Sequence, residues 1–423
     1  MEHSQTSPIE SADVVIVGAG MVGLAAALAI AESQLRVIVL EAQPAPSESP
    51  LETVAELPGF DPRVSALTCA SQQFLKYLGV WKHMQALRVS PYSDMDVWDG
   101  EGSGRVHFSA AELHEPELGH IVENRVTVAA LTEALKQRDN VELWSDAALK
   151  GVSEWQPKEQ ARQLTLADGR VISCQLLVAA DGANSHCRRM AGIPMTEWDY
   201  GHHAIVTTVE TEQSNQQTAW QCFTGDGPLA FLPLSSEQGH FSSIVWSTSP
   251  DHARDLMAQD DNEFCAALEM AFEHRLGKVI ATDRRFVFPL RQRHAKYYVK
   301  TGLAVIGDAA HTIHPLAGQG VNLGLLDAAV LAEVVIDAVG RGEDYSAERC
   351  LRKFQRRRQR DNLQMSAAME GFKRLFDSEN ATVKLLRNTG MNLFDRIAPV
   401  KQHLVMQAMG LSGDLPRLCR RQD

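Results

Sequence analysis

Asp308 stands directly behind the apolar run Leu303, Ala304, Val305, Ile306 and the turn residue Gly307. A carboxylate at the end of a buried strand sits where ligands collect in an open parallel sheet, and it can accept hydrogen bonds from a polyol such as a ribityl chain. Farther on, Pro315 stiffens the backbone, Gly318 and Gly320 permit close approach of a flat ligand, and apolar positions recur at helical spacing through Leu325, Leu326, Val330, Leu331 and Val335. A helix therefore starts at the ligand. The free N–H groups of Gly320, Val321 and Asn322 would face negative charge there, such as the N1/O2 edge of a reduced flavin. A plain strand, turn and core helix would use the same Gly and Pro, so the decision rests on a second nucleotide motif elsewhere.

That motif lies near the start. The apolar run Ala12 to Val17 breaks into Gly18-Ala19-Gly20-Met21-Val22-Gly23, a helix-forming series follows to Ala31, and a second apolar run, Val37 to Leu40, ends in Glu41. Gly18 suits a tight turn, Gly20 lets the backbone meet a pyrophosphate, Gly23 allows close helix packing, and Glu41 can hold an adenosine ribose. With these flanks the turn reads as an adenine dinucleotide site, without separating NAD from FAD.

A third strand end, Leu176 to Ala180, closes in Asp181-Gly182-Ala183-Asn184-Ser185 and then Arg188. Asp181 can contact a nucleotide, or it can pair with Arg188 to lock the turn; both readings stand. Arg63, in Asp61-Pro62-Arg63, fits either a phosphate or flavin edge or an ordinary solvated surface. His311 and His314 are a poor metal pair, offset by three across a proline-containing loop, so no metal is expected.

The elements that must position these groups follow from period and composition. The chain has 423 residues and 44% hydrophobic content, enough for a substantial core and for an α/β body of more than one domain. The expected architecture is an α/β Rossmann-like dinucleotide-binding domain over residues 11–192 and 285–345, with an irregular segment 90–118 toward the substrate side. A β-rich substrate domain is inserted over 193–284, and a helical region spans 346–423. In the insert, Ala204 to Val209, Trp220 to Phe223, Leu229 to Leu234 and His240 to Trp246, and just past it Arg285 to Pro289, read as antiparallel strands around one helix near Phe264 to Phe272. This layer would lie over the ligand as a lid, with Phe231, Trp246 and Phe288 as its substrate wall.

A net charge of −12 argues against nucleic acid as a partner. Seven cysteines without CxxC spacing fit reduced thiols. The polar, acidic first residues lack signal-peptide character and no apolar run reaches bilayer length, so the expected location is cytoplasmic or peripheral to the inner membrane. From Arg349 to Arg360 seven of twelve residues are Lys or Arg. This basic helix is the candidate contact for an anionic lipid surface or an acidic partner, and reversing Arg356, Arg357 and Arg358 is expected to leave flavin content unchanged. Oligomer formation is left open.

The glycine turn, the DGANSxxR turn and the GDAAH segment, in this order, resemble the FAD-dependent aromatic hydroxylases of the 4-hydroxybenzoate hydroxylase type. His314-Pro315-Leu316-Ala317-Gly318-Gln319-Gly320, then Asn322, Gly324 and Asp327, matches the signature of the ubiquinone-biosynthesis ring hydroxylases. Arg63 to Leu67, Val97 to Asp99, Gly119 to Asn124, Trp198 to Tyr200 and Leu229 to Leu234 resemble most the branch that acts as 2-polyprenylphenol 6-hydroxylase, at ring position C5 in ubiquinone numbering. The resemblance implies FAD as cofactor, NAD(P)H or another external electron donor, dioxygen as co-substrate and a polyprenylphenol as substrate, hydroxylated by way of a C4a-hydroperoxyflavin. It also implies cofactor contacts from Arg63 and Arg125, a backbone wall at Pro315, Gly318 and Gln319 that orients substrate and oxygen, and membership of a ubiquinone-biosynthesis complex. Hydroxylation at another ring position, or a non-catalytic scaffold role, are the alternatives.

Overall fold

The computed structural model describes residues 9–45, 59–313, 319–376, 378, 380–411 and 414–421, the side chains of Gln319, Met369 and Phe372 excepted. The buried apolar runs form a parallel sheet in the order Leu303–Val305, Val171–Ala179, Glu10–Val17, Val37–Leu40, Val141–Trp144. Most positions in these strands are Val, Ile, Leu or Ala because both faces are covered. Helix α1 (Met21–Ala31) is apolar all round and buried from Gly23 onward; it packs on helix α2 (Gln319–Gly340) and on the helix Asn124–Leu135.

A second, mostly antiparallel sheet runs in the order His311–Thr312, Phe286–Ala295, Met195–Thr211, Phe241–Thr248, Gly227–Pro233, Thr218–Thr224, Asp94–Asp99, Arg105–Ser109. Three details differ from the expectation. The segment 90–118, expected to be irregular, supplies the strands Ser90–Tyr92, Asp94–Asp99 and Arg105–Ser109, since backbone pairing with Thr218–Thr224 supplies what a weak local pattern does not. The strand Phe286–Ala295 pairs with Met195–Thr211, in keeping with the antiparallel reading of Arg285 to Pro289, so the antiparallel sheet runs past the bound expected at residue 284. Two helices, Pro250–Ala258 and Asp261–Ala271, cover the sheet where one was expected; Asp260 and Glu263 close a capping box that starts the second.

The C-terminal region is helical: α3 (Glu348–Phe376), α4 (Ala381–Arg396) and α5 (Ala398–Ala408). Helix α3 lies along α2. All seven cysteines are buried and unpaired.

Two buried histidines make the fold sensitive to mild acid. Burial, helped by the charge of Lys76, lowers the pKa of His120 to about 4. Burial, helped by His311 and opposed by Asp327, lowers His294 to about 4 as well. Unfolded histidine titrates near ~6.5, so between that pH and about 4 the unfolded chain binds more protons and stability falls as pH drops. Melting temperature is expected to decline from pH 7 toward pH 5, and less steeply in His120→Gln; parallel curves for the two proteins would remove His120 as a cause.

Candidate functional site

The parallel strands end level. Val305 pairs with Ala179, Ala179 with Val17, and Val17 with Leu40, so four neighbouring strands release their chains at one edge of the sheet. The residues that follow are Asp308, Asp181, the Gly18–Gly23 turn and Glu41. This is the carboxyl edge, where open α/β sheets bind ligands.

The glycine turn is determined by contact. Gly18 has φ +106°, and a Cβ there would lie 2.4 Å from the Ala180 carbonyl oxygen; at Gly23 it would lie 2.0 Å from the Gly18 oxygen. At Gly20, the residue preceding α1, a Cβ would meet no atom within 4 Å. The first two glycines are therefore needed by the fold, whereas the third leaves open space at a helix N-terminus, the setting for a pyrophosphate. The Ala19 N–H donates to Glu41 Oε2 at 3.0 Å and the Gln43 N–H to Oε1 at 3.0 Å, which fixes the half-buried carboxylate beside the turn. Met21 opens α1, and Val22 fits between Gly307 and Gly324, where a Cβ at Gly324 would come within 2.6 Å of it.

Asp308 lies in a short 3₁₀ turn, Gly307–Ala309, entered through Gly307 at φ +58°. Its side chain is exposed although protein surrounds it on most sides. That surrounding mass raises its carboxyl from the ordinary range, with His311 and Arg293 pulling back. An exposed carboxylate at this position is free to accept hydrogen bonds from a ligand. Asp308→Ala is expected to weaken FAD binding roughly ten- to a hundredfold, the loss of about 1.5 to 3 kcal/mol of charge-assisted hydrogen bonding, while the protein stays folded. An unchanged dissociation constant in a fluorescence titration would take Asp308 out of the site.

Other candidates are engaged elsewhere. Asp181 accepts from the N–H groups of His186 (2.7 Å) and Cys187 (3.1 Å) and from Ser185 Oγ, so it caps a helical turn and makes no ion pair with Arg188. Arg188 instead reaches the carbonyls of Ala183 and, at 3.0 Å, Ala309, tying this turn to the one that carries Asp308. The Arg125 guanidinium is bound to buried Glu123 and the Gly59 carbonyl, and Arg63 is exposed. Asn322 is buried: its Oδ1 accepts from the Thr68 N–H (3.0 Å) and Ser71 Oγ (2.7 Å), and its Nδ2 donates to Ala66 (2.7 Å). Its side chain straps α2 to the strand Val64–Leu67 and is not turned toward a ligand. Val321 packs toward the core, and Gly320 has no atom within 4 Å of a built Cβ. Pro315, Gly318 and His314 lie outside the described residues, and Gln319 is described only as the first residue of α2.

The substrate wall needs correction. Phe231 and Trp246 are buried between the sheet and its covering helices, Phe231 stacking on Phe272 with ring centroids 3.7 Å apart. Phe288 pairs with Ala204, whereas Trp246 pairs with Ile205; adjacent residues on a strand face opposite ways. Phe288 therefore stands on the other, open face, with Val206, Ala230, Leu232 and Val245.

Sequence reasoning quoted Asp327 but assigned it nothing. It is fully buried on α2, and its Oδ2 accepts from the Gly307 N–H (3.1 Å) and contacts His311 Nε2 (2.5 Å), while its Oδ1 accepts from Arg358 Nε of α3 (2.8 Å). Burial alone would raise this carboxyl, but the charges and hydrogen bonds of His311 and Arg358 hold it at about 2. A lone Asp within an apolar helical stretch was the available signal, because an unpaired buried charge is too costly to keep.

The chain matches the FAD binding domain family over residues 11–369. It is 39% identical over 400 residues to 3-demethoxyubiquinol 3-hydroxylase of Escherichia coli, covering 94% of this chain and 98% of the relative. To ubiquinone hydroxylase UbiL of Rhodospirillum rubrum it is 36% identical over 425 residues, covering 99% and 96%. The solved structure of p-nitrophenol 4-monooxygenase PnpA from Pseudomonas putida superposes with a TM-score of 0.77 at 19% identity, covering 96% of this chain and all of that one, a likeness of fold. A dinucleotide turn, strand-end carboxylates level across one sheet edge and full-length identity above a third have a single reading: the chain is an FAD-dependent monooxygenase and belongs to the family of ubiquinone-biosynthesis ring hydroxylases.

Proposed function

We propose that the protein hydroxylates the ring of a polyprenylated phenol at C5, the 6-hydroxylation of 2-polyprenylphenol. The supporting observations are the open apolar face of the antiparallel sheet and the level carboxyl edge of the parallel one. There Glu41 would hold the adenosine ribose, the Gly20 turn and the start of α1 the pyrophosphate, Asp308 the ribityl chain, and the N–H groups of Gly320 to Asn322 the flavin's negative edge. When bound and reduced by NAD(P)H or another donor, FAD supplies the activation of dioxygen that ring hydroxylation needs. The chain's own contribution is position and dryness. Val206, Ala230, Leu232, Val245 and Phe288 offer an apolar surface for an aromatic ring and exclude the water that would release the oxidant unused.

The ring position rests on the stretches from Arg63, Val97, Gly119, Trp198 and Leu229, which resemble the C5 branch. A second reading, hydroxylation at another position of the same ring, draws on the Escherichia coli relative, whose name states a 3-hydroxylase. To separate them, the reduced enzyme is given either 2-polyprenylphenol or 3-demethoxyubiquinol under isotopically labelled dioxygen, and the label is located by mass spectrometry. Labelled oxygen at C5 of the polyprenylphenol is expected; turnover of 3-demethoxyubiquinol alone would overturn the C5 assignment.

A further inference from the structure

Helices α4 and α5 are mounted inside out. Their polar residues face the protein and their apolar residues face solvent, the reverse of an ordinary surface helix. On the inner side the Asn388 amide oxygen takes the Gly104 N–H, Asn392 Oδ1 takes the Arg105 N–H at 3.2 Å, and Asp395 Oδ1 takes the His107 N–H at 3.0 Å. Arg387 is buried against Asp99, Lys384 pairs with Glu101, and from α5 Lys401 Nζ reaches the His107 carbonyl at 3.0 Å. The physical cause is the strand Arg105–Ser109, which ends the antiparallel sheet. An edge strand presents unpaired backbone groups, and the helices answer with side chains that satisfy them.

The outer side is left apolar as a result. Leu385 (67%), Leu386 (66%), Leu393 (56%), Ile397 (41%), Val400 (48%) and Leu404 (47%) are all exposed. On α4 Leu386 and Leu393 stand seven residues apart and on α5 Val400 and Leu404 four apart, so each helix carries its own apolar stripe, with Ile397 exposed at the junction between them, unlike the scattered exposed leucines that need no explanation. No Asp or Glu is among the exposed residues of 380–411, while Arg396 and His403 are. Of the segment's four Lys or Arg, Lys384, Arg387 and Lys401 pair with Glu101, Asp99 and Glu112 on the inner side, and Arg396 is the one that is exposed. Among the described residues no helix is long and apolar enough to cross a membrane.

We infer that the outer face of α4 and α5 docks on an anionic lipid bilayer, with the leucine stripe entering the headgroup boundary and Arg396 meeting lipid phosphate. In the basic run of α3, the sequence-based candidate for this contact, four of the seven Lys or Arg are paired within the chain, while Arg349, Arg356 and Arg360 are exposed. Arg352 pairs with Glu348, Lys353 with Glu343, Arg357 with Glu333 and Asp414, and Arg358 is buried on Asp327. As a route by which a lipid-tailed substrate reaches the enzyme the inference rests on the proposed function; as a bilayer contact it does not.

The test uses the full FAD-loaded chain and vesicles of phosphatidylglycerol with phosphatidylcholine, or phosphatidylcholine alone. Wild type is expected to sediment with the anionic vesicles, less so at high salt. Leu386→Asp/Leu393→Asp is expected to bind at least about tenfold more weakly, with flavin content and melting temperature unchanged. Leu386→Ser/Leu393→Ser should show a smaller loss without added charge. No sedimentation of wild type, or equal sedimentation of wild type and both variants, overturns the proposal. So does a wild-type oligomer that the substitutions dissolve in light scattering without lipid, since the face would then belong to a second copy. Turnover of a short-chain phenol in detergent reads the catalytic site separately.

Discussion

Arg358→Glu is expected to strip FAD from the purified chain and lower its melting temperature by several degrees, although no flavin motif includes this residue. Its guanidinium is 3% exposed and faces an Asp327 carboxylate with no exposure at all; its other nitrogens reach Asn362 (2.8 Å) and Asp361 (3.1 Å). Breaking a buried pair by removing one partner costs about 3–5 kcal/mol, and reversal adds repulsion. The damage is local to the cofactor edge because the same carboxylate holds the Gly307 N–H and His311. Asp308 follows Gly307, so its position depends on that anchor. This result would run against the expectation that reversing Arg356, Arg357 and Arg358 leaves flavin unaffected: Arg356 is exposed, but Arg358 is not. Flavin absorbance per protein and differential scanning fluorimetry on Arg358→Glu and Arg356→Glu decide it. If the two variants behave alike, the network has no bearing on the site. Acid gives an independent check. A depressed carboxyl contributes stability that is complete above its unfolded pKa near ~3.9 and lost as pH falls toward about 2; Asp327→Asn should lack this part of the acid transition.

Gly20→Val should abolish FAD binding and leave the protein folded. A Cβ at Gly20 would meet no atom within 4 Å, so a side chain there starts in the space in front of α1 where a pyrophosphate would sit. Two or three charge-assisted hydrogen bonds are lost with that approach, at about 1.5–3 kcal/mol each, and affinity should fall by at least about a hundredfold. Gly23→Val should behave differently, because its Cβ would stand 2.0 Å from the Gly18 carbonyl oxygen and the strand–helix turn itself must open. The expected pair of results is colourless but folded Gly20→Val and poorly folded Gly23→Val. Normal flavin content in Gly20→Val would show that the turn is not the pyrophosphate site.

The cofactor edge was legible from the chain alone because its signals are local. An apolar run, glycines at fixed offsets, and a terminal Glu41 or Asp308 are each set within a few residues, where steric and hydrogen-bonding constraints act on the backbone directly. The family was legible for the same reason, since its motifs are contiguous. What needed the tertiary structure were properties that depend on distant partners. Arg358 reads as one more charge in a basic run until the fold lays α3 along α2 and buries it on Asp327, and Asn322 reads as a ligand contact until Ala66, Thr68 and Ser71 take up its amide. Phe231 and Trp246 alternate with Ala230 and Val245 in a pattern that marks two faces, but not which face the helices Pro250–Ala258 and Asp261–Ala271 will cover. The same limit holds for α4. Its sequence shows that it is amphipathic, yet only the sheet edge at Gly104 to His107, with backbone groups that demand polar partners, turns its leucines outward.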